Sequence, residues 1–274
     1  MAIDAPYPEL DELMTLIGEA GERLSEIQAS EGAAGNISVY MGWPVDPRRR
    51  FPNVEVIELP IAAPELAGGS FLVSGSGRRL REIIHDPAAN LGFVAVDAGS
   101  RTGRLFTSPR RLFARLTSEF NSHLAVHADQ VARTGTNFHA IIHAQPPHLT
   151  YLSHIPRYRD KDYLNRHLLR WQPETIVNLP EGLGCAPFEL PGSAELMAAT
   201  VEALRIHRVV LWCKHGVMAR SDQSVKRAAD RIEYAETGAR YEYMNLTNGE
   251  QGEGLTDAEI RTICAAFGIQ QSIF

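Results

Sequence analysis

Apolar side chains recur at helical spacing in several long stretches of the chain. In 9–29 they fall three or four positions apart, and 109–133 repeats this pattern. Such a spacing gathers apolar side chains on one face of a helix, so both stretches are predicted to be amphipathic helices. Further helices are predicted over 157–171, 193–206, 222–245 and 256–267, the last with a capping box formed by Thr256 and Glu259.

Shorter apolar and β-branched runs predict strands between these helices. The runs are 37–40, 54–59, 70–73, 91–96, 104–107, 140–142, 175–179 and 208–212. Those between 54 and 107 follow one another closely, which favours antiparallel pairing. No repeat or linker divides the chain. We therefore expect one α/β domain over 1–274, with helices covering a central, largely antiparallel β-sheet.

Composition and charge narrow the classes of function. The formal net charge of -6 makes the chain a poor candidate for binding nucleic acid or an anionic membrane. The three cysteines, Cys185, Cys213 and Cys264, are too scattered for a disulfide framework. The start of the chain is acidic, unlike a secretion signal, and no apolar run reaches the roughly 20 residues of a membrane span. We expect a cytoplasmic protein.

Two histidines and one glutamate are the leading candidates for chemistry. His143 ends an apolar strand before a Pro-Pro turn, and His215 follows another strand beside a glycine. Side chains at strand ends often carry function, and two imidazoles there can converge on one divalent ion. Glu119 lies in the predicted helix 109–133 between apolar neighbours. Burial and a nearby cation would adapt such a carboxylate to move protons.

Small and hydroxyl-bearing residues cluster in three further places. These are the glycine-rich turn 32–36, the Ser-Gly-Ser-Gly run 74–77, and Thr117-Ser118. Each can turn backbone N–H groups and hydroxyls toward an oxyanion such as phosphate. Each is a weak signal by itself, but the three together with the histidines suggest an anionic substrate.

In order along the chain, these motifs resemble those of the class II aldolase/adducin family. The match spans roughly residues 30 to 240, and the runs Asp-Pro-Ala-Ala-Asn-Leu-Gly at 86–92 and Leu-Trp-Cys-Lys-His-Gly-Val at 211–217 are specific. Shorter matching stretches are 35–38, 73–77, 109–119, 140–145, 174–184 and 191–192. The order of all of them is more specific than any one.

The resemblance implies an activity and a set of site residues. It implies a lyase that cleaves a ketose 1-phosphate or related sugar phosphate to dihydroxyacetone phosphate and an aldehyde, through a metal-stabilised enediolate. It implies a zinc site including His143 and His215, Glu119 as the acid/base, and a homotetramer with active sites at subunit interfaces, where Glu174 lies near the site of a neighbouring subunit. The residues that match the family's phosphate-binding pieces are Asn36, Ser76, Gly77, Thr117 and Ser118.

One departure from the family's pattern leaves alternatives open. The family's His-x-His metal-binding pair is His143-Ala144-Gln145 here. An amide oxygen is a weaker zinc ligand than an imidazole. Three outcomes remain open. Gln145 completes the metal site with His143 and His215, a neighbouring histidine such as His148 or His139 takes its place, or the site has lost its metal. The functional alternatives are an epimerase, decarboxylase or dehydratase on the same scaffold, or a non-catalytic protein like adducin.

Overall fold

Nine strands pair into a single sheet in the computed structural model, which describes residues 2–99 and 101–274. The strands are β1 Asn36–Met41, β2 Asn53–Glu58, β3 Ser70–Ser74, β4 Leu91–Val96, β5 Thr102–Thr107, β6 Phe138–Ala144, β7 Gly184–Ala186, β8 Val209–Trp212 and β9 Gly216–Ser221. Their order is β2-β5-β4-β3-β1-β6-β9-β8-β7. All neighbours are antiparallel except β7 and β8. The predicted α/β domain with a largely antiparallel sheet is confirmed.

Helices cover both faces of this sheet. They are α1 Leu10–Glu26, α2 Pro87–Asn90, α3 Phe120–Thr134, α4 Pro147–Leu152, α5 Lys161–Leu169, α6 Pro173–Asn178, α7 Ala194–Leu204, α8 Val225–Thr247 and α9 Asp257–Phe267. The predicted capping box opens α9. Within the described ranges, no helix is both long enough and apolar enough to cross a membrane.

Strand β6 shows how the core is divided. Its even-numbered residues, among them Ala140 and Ile142, join the apolar cluster that includes α1 and α8. Ile141 points to the opposite face and packs with residues of α3 and α7. Every residue of β6 is buried, because helices cover the sheet on both sides. Since side chains alternate along a strand, His139 and His143 share the face of Ile141, toward α3.

The helix predicted over 109–133 is wrong in its first part. Helix α3 begins only at Phe120, so Glu119 is the residue at its N-cap and not a residue of the helix. Before it the backbone bonds to other segments: the N–H of Leu112 donates to the carbonyl of Ala89, and that of Thr117 to the carbonyl of Ser74. These bonds to other segments take up backbone groups that a helix over 109–119 would use internally.

Five other elements differ from the prediction, namely α6 and the unpredicted α2, α4, β7 and β9. The strand predicted over 175–179 is wrong, since these residues lie largely in α6, which opens with Pro173 at a position where proline is well tolerated. Strands β7 and β9 were not predicted. Strand β9 follows β8 through a short turn in which Lys214 adopts a left-handed conformation with φ of 65°. The other predicted helices and strands are confirmed to within a few residues at their ends.

Gly21 in α1 provides a test of this packing. Alanine normally stabilises a helix interior by about 0.5–1 kcal/mol relative to glycine. A Cβ at Gly21 would lie 2.4 Å from the carbonyl oxygen of Leu80, however. We expect Gly21→Ala to lower the free energy of unfolding by about 1–3 kcal/mol, measured by urea denaturation. The control Glu22→Ala, at an exposed position of the same helix, is expected to change it by less than about 0.5 kcal/mol. A stabilised Gly21→Ala protein would contradict this packing.

Candidate active site

Glu119, His143 and His215 converge from three separate parts of the fold. Glu119 precedes α3, His143 lies near the end of β6, and His215 lies in the turn between β8 and β9. One ligand atom from each lies within 4.8 Å of the others. Nε2 of His143 is 3.6 Å from Oε2 of Glu119, and Nε2 of His215 is 3.6 Å from Oε1 of the same carboxyl group. The three side chains predicted to carry the chemistry are thus brought together.

His143 is held in an orientation suited to ligation. Its Nδ1 lies 2.8 Å from the carbonyl oxygen of Val217, which only accepts hydrogen bonds. Nδ1 therefore donates to this carbonyl, which leaves Nε2 directed toward Glu119 and His215. The ring of Trp212 stacks on His143 with centroids 4.7 Å apart, which fixes the plane of the imidazole.

His215 offers an uncharged imidazole. Burial lowers its pKa to about 4, with a further lowering from His143. The ring is therefore neutral at pH 7, the form that binds a metal. Nδ1 of His215 is buried and has no hydrogen-bond partner within the described part of the chain.

The spacing of these groups fits a divalent ion. At 3.6 Å the nitrogen–oxygen separations are too long for hydrogen bonds. Two ligands each about 2.1 Å from a tetrahedral zinc ion would lie roughly 3.4 Å apart. Two imidazole nitrogens and a carboxylate, buried and not bonded to one another, are a donor set that zinc accepts. The residues present therefore fit a metal of this class.

Gln145 lies beside this cluster. A Cβ on Gly216 would lie 3.1 Å from Cγ of Gln145, 3.1 Å from Cε1 of His143 and 2.4 Å from the carbonyl oxygen of Ala144. Glycine is required at 216 by this close approach. Gln145 is half-buried, and its backbone N–H donates to the carbonyl of Ala29.

Neither alternative histidine belongs to the cluster of potential ligands. Nδ1 of His139 lies 2.9 Å from Nδ1 of His127 on α3. Nδ1 of His148 lies 2.6 Å from Oε1 of Glu236 on α8. Both are engaged elsewhere, so the local geometry favours Gln145 over either histidine as a neighbour of the two ligand imidazoles.

Glu119 is a buried carboxylate with specific partners. Its side chain is only 5% exposed, and Nδ2 of Asn36 donates to its Oε2 over 2.8 Å. Burial raises the pKa of Glu119, but the neighbouring imidazole of His143 and the Asn36 amide lower it by more, so the net shift is downward. The group is therefore ionised at neutral pH.

The predicted phosphate-binding pieces are joined by backbone hydrogen bonds. The carbonyl of Ser74 accepts from the N–H of Thr117, and its hydroxyl accepts from the N–H of Ile37, next to Asn36. Ser76 donates its N–H to the carbonyl of Arg115 over 2.9 Å, so its hydroxyl, and not this amide, is available to a ligand. Ser74 was not predicted as a site residue, yet it connects all three pieces.

The exposure of these residues differs. Gly77 and Ser118 are exposed and Ser76 is half-buried, whereas Asn36 and Thr117 are buried. Oγ1 of Thr117 accepts from the N–H of Glu119 over 3.4 Å, which places this hydroxyl beside the backbone of Glu119.

Glu174 lies apart from these groups. It is exposed in the first turn of α6 and is not part of the three-residue cluster.

Sequence reasoning missed a second set of buried polar side chains behind Asn36. Ser38, His123 and His127 are fully buried and hydrogen-bonded to one another. Two patterns would have indicated them. His123 lies four residues after Glu119, on the same side of the chain entering α3, and Ser38 lies two residues after Asn36, on the same face of β1.

The chain is similar to several known proteins. Residues 15–243 match the family described as Class II Aldolase and Adducin N-terminal domain. The chain is 28% identical over 264 residues to a rhamnulose-1-phosphate aldolase of Bacteroides thetaiotaomicron, covering 96% of both chains. It is 31% identical over 214 residues to one of Klebsiella pneumoniae, covering 78% of this chain and 76% of that protein. A sugar-phosphate aldolase structure from Thermotoga maritima superposes with a TM-score of 0.74 at 28% identity, covering 89% of this chain and 99% of the other.

The buried histidines predict a pH dependence of stability. Burial lowers the pKa of His123 and of His139 from 6.5 to about 3, and that of His127 well below 6.5. Unfolding therefore takes up protons between about pH 6.5 and pH 3, so the stabilisation is complete above pH 6.5 and is lost as the pH falls. Each such histidine is expected to contribute a slope of about 1.4 kcal/mol per pH unit, measured by urea denaturation between pH 5 and 6.

Substitution of one buried histidine tests this assignment. His127→Gln is expected to reduce the slope by about one proton. The control His85→Gln, at an exposed position, is expected to leave the slope unchanged. If His127→Gln and His85→Gln have the same slope as the parent protein, the buried rings are not neutral.

Proposed function

The chain belongs to the class II aldolase and adducin family, and on that premise we propose that it is a metal-dependent aldehyde-lyase. The proposed reaction is cleavage of a ketose 1-phosphate, or a related sugar phosphate, to dihydroxyacetone phosphate and an aldehyde. The observation that carries this proposal is the convergence of Glu119, His143 and His215 within 4.8 Å. The names of the relatives support it, since two are rhamnulose-1-phosphate aldolases and one is a sugar-phosphate aldolase.

His143, Gln145 and His215 are the proposed ligands of the metal, with zinc as the expected ion. The free Nε2 of His143 and the neutral ring of His215 support the two histidines. The position of Gln145 against Gly216 supports the third. A divalent ion bound there would act as a Lewis acid on the substrate oxygens.

Glu119 is the proposed acid/base. Cleavage removes the proton of the hydroxyl on the aldehyde half, breaks the carbon–carbon bond, and leaves its electron pair on the dihydroxyacetone phosphate half. Glu119 takes up the first proton and returns a proton to the carbon that carries the electron pair. An ionised carboxylate, held by Asn36 and shielded from water, is suited to the first of these transfers.

The phosphate is proposed to bind where the three small-residue pieces meet. The hydroxyls of Ser76, Thr117 and Ser118 and the backbone N–H of Gly77 are the proposed donors, with the second amide hydrogen of Asn36. These groups and Glu119 are linked through Thr117, so a phosphate bound here would position the reacting carbon relative to the carboxylate.

The assembly proposed is a homotetramer of chains that each form one domain over 1–274, in the cytoplasm. Active sites would then lie at subunit interfaces, and Glu174 would act in the site of a neighbouring subunit. The exposure of Glu174 on α6 is compatible with such a role.

A second candidate is a different reaction on the same scaffold, namely epimerisation, decarboxylation or dehydration. It is favoured by Gln145, an amide where the family has a histidine ligand. Exchange of substrate protons with solvent without carbon–carbon cleavage would identify this alternative. A non-catalytic protein like adducin is disfavoured by the intact cluster of Glu119, His143 and His215.

Removal of the acid/base and removal of the metal test the lyase proposal. Glu119→Gln is expected to reduce kcat about 100- to 10,000-fold, because general acid–base catalysis contributes roughly that factor. Release of dihydroxyacetone phosphate from ketose 1-phosphates is the measurement. Glu22→Gln, at an exposed position on α1, is the matched control and is expected to retain full activity. Activity that survives thorough chelation would exclude the metal-dependent mechanism.

The role of Gln145 is tested by metal affinity. Imidazole is the better zinc ligand, so Gln145→His is expected to tighten zinc binding and Gln145→Ala to weaken it. Loss of a supporting group around a metal typically costs 10–100-fold in affinity, so loss of a ligand is expected to cost at least about tenfold. Competition with a chromogenic chelator measures both. Equal affinities for Gln145→Ala and the parent protein would show that Gln145 is not a ligand.

A further inference from the structure

A continuous series of hydrogen bonds runs from Glu119 into the protein interior, away from the proposed metal ligands. It passes along one face of β1 and β6 and the facing side of α3, and all of its members are buried. Starting from the carboxylate, the members are Glu119, Asn36, His123, Ser38, His127 and His139.

The direction of the first bonds follows from the side-chain amide of Asn36. The amide nitrogen of Asn36 faces Oε2 of Glu119 at 2.8 Å, and an amide N–H only donates, so Oε2 accepts. The amide oxygen of Asn36 then faces Nε2 of His123, at 2.5 Å. An amide oxygen only accepts, so Nε2 of His123 carries the proton.

The remaining directions follow from Ser38, which has a single hydroxyl proton. Oγ of Ser38 lies 2.7 Å from Nδ1 of His123 and 2.7 Å from Nε2 of His127. In the neutral ring of His123, Nδ1 is a lone pair, so Ser38 donates to it. Ser38 must then accept from a protonated Nε2 of His127.

His139 ends the series. With its proton on Nε2, neutral His127 has a lone pair on Nδ1, which lies 2.9 Å from Nδ1 of His139. Nδ1 of His139 therefore donates. Nε2 of His139 is a lone pair without a hydrogen-bond partner in the described part of the chain.

The donor and acceptor roles in one hydrogen bond determine those in the next only if all three rings are neutral. Burial supplies this condition, since it is the main cause that lowers the pKa values of His123, His127 and His139. A neutral imidazole has one N–H and one lone pair, so it accepts on one side and donates on the other. Every bond in the series then donates toward Glu119, and bonds aligned in this way strengthen one another.

We propose that Ser38, His123, His127 and His139 are positioning residues that act on Glu119 through Asn36. The series fixes the side-chain amide of Asn36 in one of its two orientations and holds Oε2 of the carboxylate. Oε1 remains directed toward Nε2 of His215, 3.6 Å away. The expected effect on catalysis rests on the proposed acid/base role of Glu119. The assigned proton positions are independent of that role.

The proton positions are tested by ¹⁵N NMR of the histidine rings in the protein as purified, with its metal content measured in parallel. We expect His123 and His127 to carry their proton on Nε2 and His139 to carry its proton on Nδ1, the less common form of free histidine. All three rings are expected to be uncharged at pH 7. A proton on Nε2 of His139, or a doubly protonated ring among the three, would overturn the proposal.

A substitution at Ser38 tests the coupling between the rings. In Ser38→Ala, His127 no longer has an acceptor for its Nε2 proton, so His127 and His139 can reverse their direction together. We expect the signal of His139 to move toward the Nε2-protonated form. An unchanged His139 signal in a folded Ser38→Ala protein would contradict the coupling.

Kinetics separate positioning from a merely structural role. We expect Ser38→Ala to lower kcat about 10- to 100-fold, because small misplacements of a catalytic group have effects of this size, with less than about a twofold change in KM and in bound metal. The matched control is Ser122→Ala on α3, which removes a buried hydroxyl that has no hydrogen-bond partner among the described residues. It is expected to retain the parental kcat.

Two outcomes of the kinetic test would overturn the positioning role. One is a kcat for Ser38→Ala equal to that of Ser122→Ala, and the other is a raised KM with an unchanged kcat. If the parent protein cleaves no sugar phosphate, the proposed function fails while the NMR measurement still decides the proton positions. If Ser38→Ala does not fold, the NMR measurement on the parent protein decides the proposal alone.

Discussion

The burial of one ionised carboxylate, Glu119, is the constraint on which the rest of this site depends. A charge removed from water is costly unless hydrogen bonds or opposite charges compensate it. Here the amide of Asn36 donates to one oxygen, and the proposed metal between His143 and His215 would supply the opposite charge. The Asn36 amide is in turn held by the buried imidazole of His123, which is inaccessible to solvent. The polar groups around Glu119 therefore form one connected arrangement.

The pairing of strands in the sheet fixes the relative positions of these side chains. Asn36 and His143 are directly opposite each other in the pairing of β1 and β6, so their side chains emerge side by side on the face toward α3. Gly35 precedes this pair with φ of 87°, and a Cβ there would lie 2.8 Å from the carbonyl oxygen of His143. Glycine at 35 thus allows both the left-handed backbone and the close approach of the two strands. Gly216 allows a similarly close approach where the turn after β8 brings His215 to His143, since a Cβ there would lie 2.4 Å from the carbonyl oxygen of Ala144.

One difference between the predicted and observed elements lies at this same site. Residues 109–119 have the apolar spacing of a helix, yet Leu116 pairs with Gly75 in an isolated β-bridge and Thr117 bonds to Ser74. Leu116 is buried as its spacing indicated, but it packs from an irregular segment, and Leu112 is exposed. Periodicity reports which side chains are buried, and a non-helical segment that crosses the end of a sheet can bury the same positions. Helix α6 was mistaken for a strand because a short apolar run fits either structure.

The sequence by itself determined the class of fold, the order of the main elements and the three side chains that converge, because these follow from apolar periodicity, strand ends and a motif order that resembles one family. It did not determine the spacing of Glu119, His143 and His215, the orientation of the His143 ring, or the series of buried donors behind Asn36. Those depend on which strands are neighbours and on their register, which bring together residues as distant in the chain as Ser38 and His127. The directions of those hydrogen bonds depend further on burial, since only an uncharged imidazole donates through one nitrogen and accepts through the other. Long-range pairing and burial are properties of the folded chain, and local sequence patterns do not contain them.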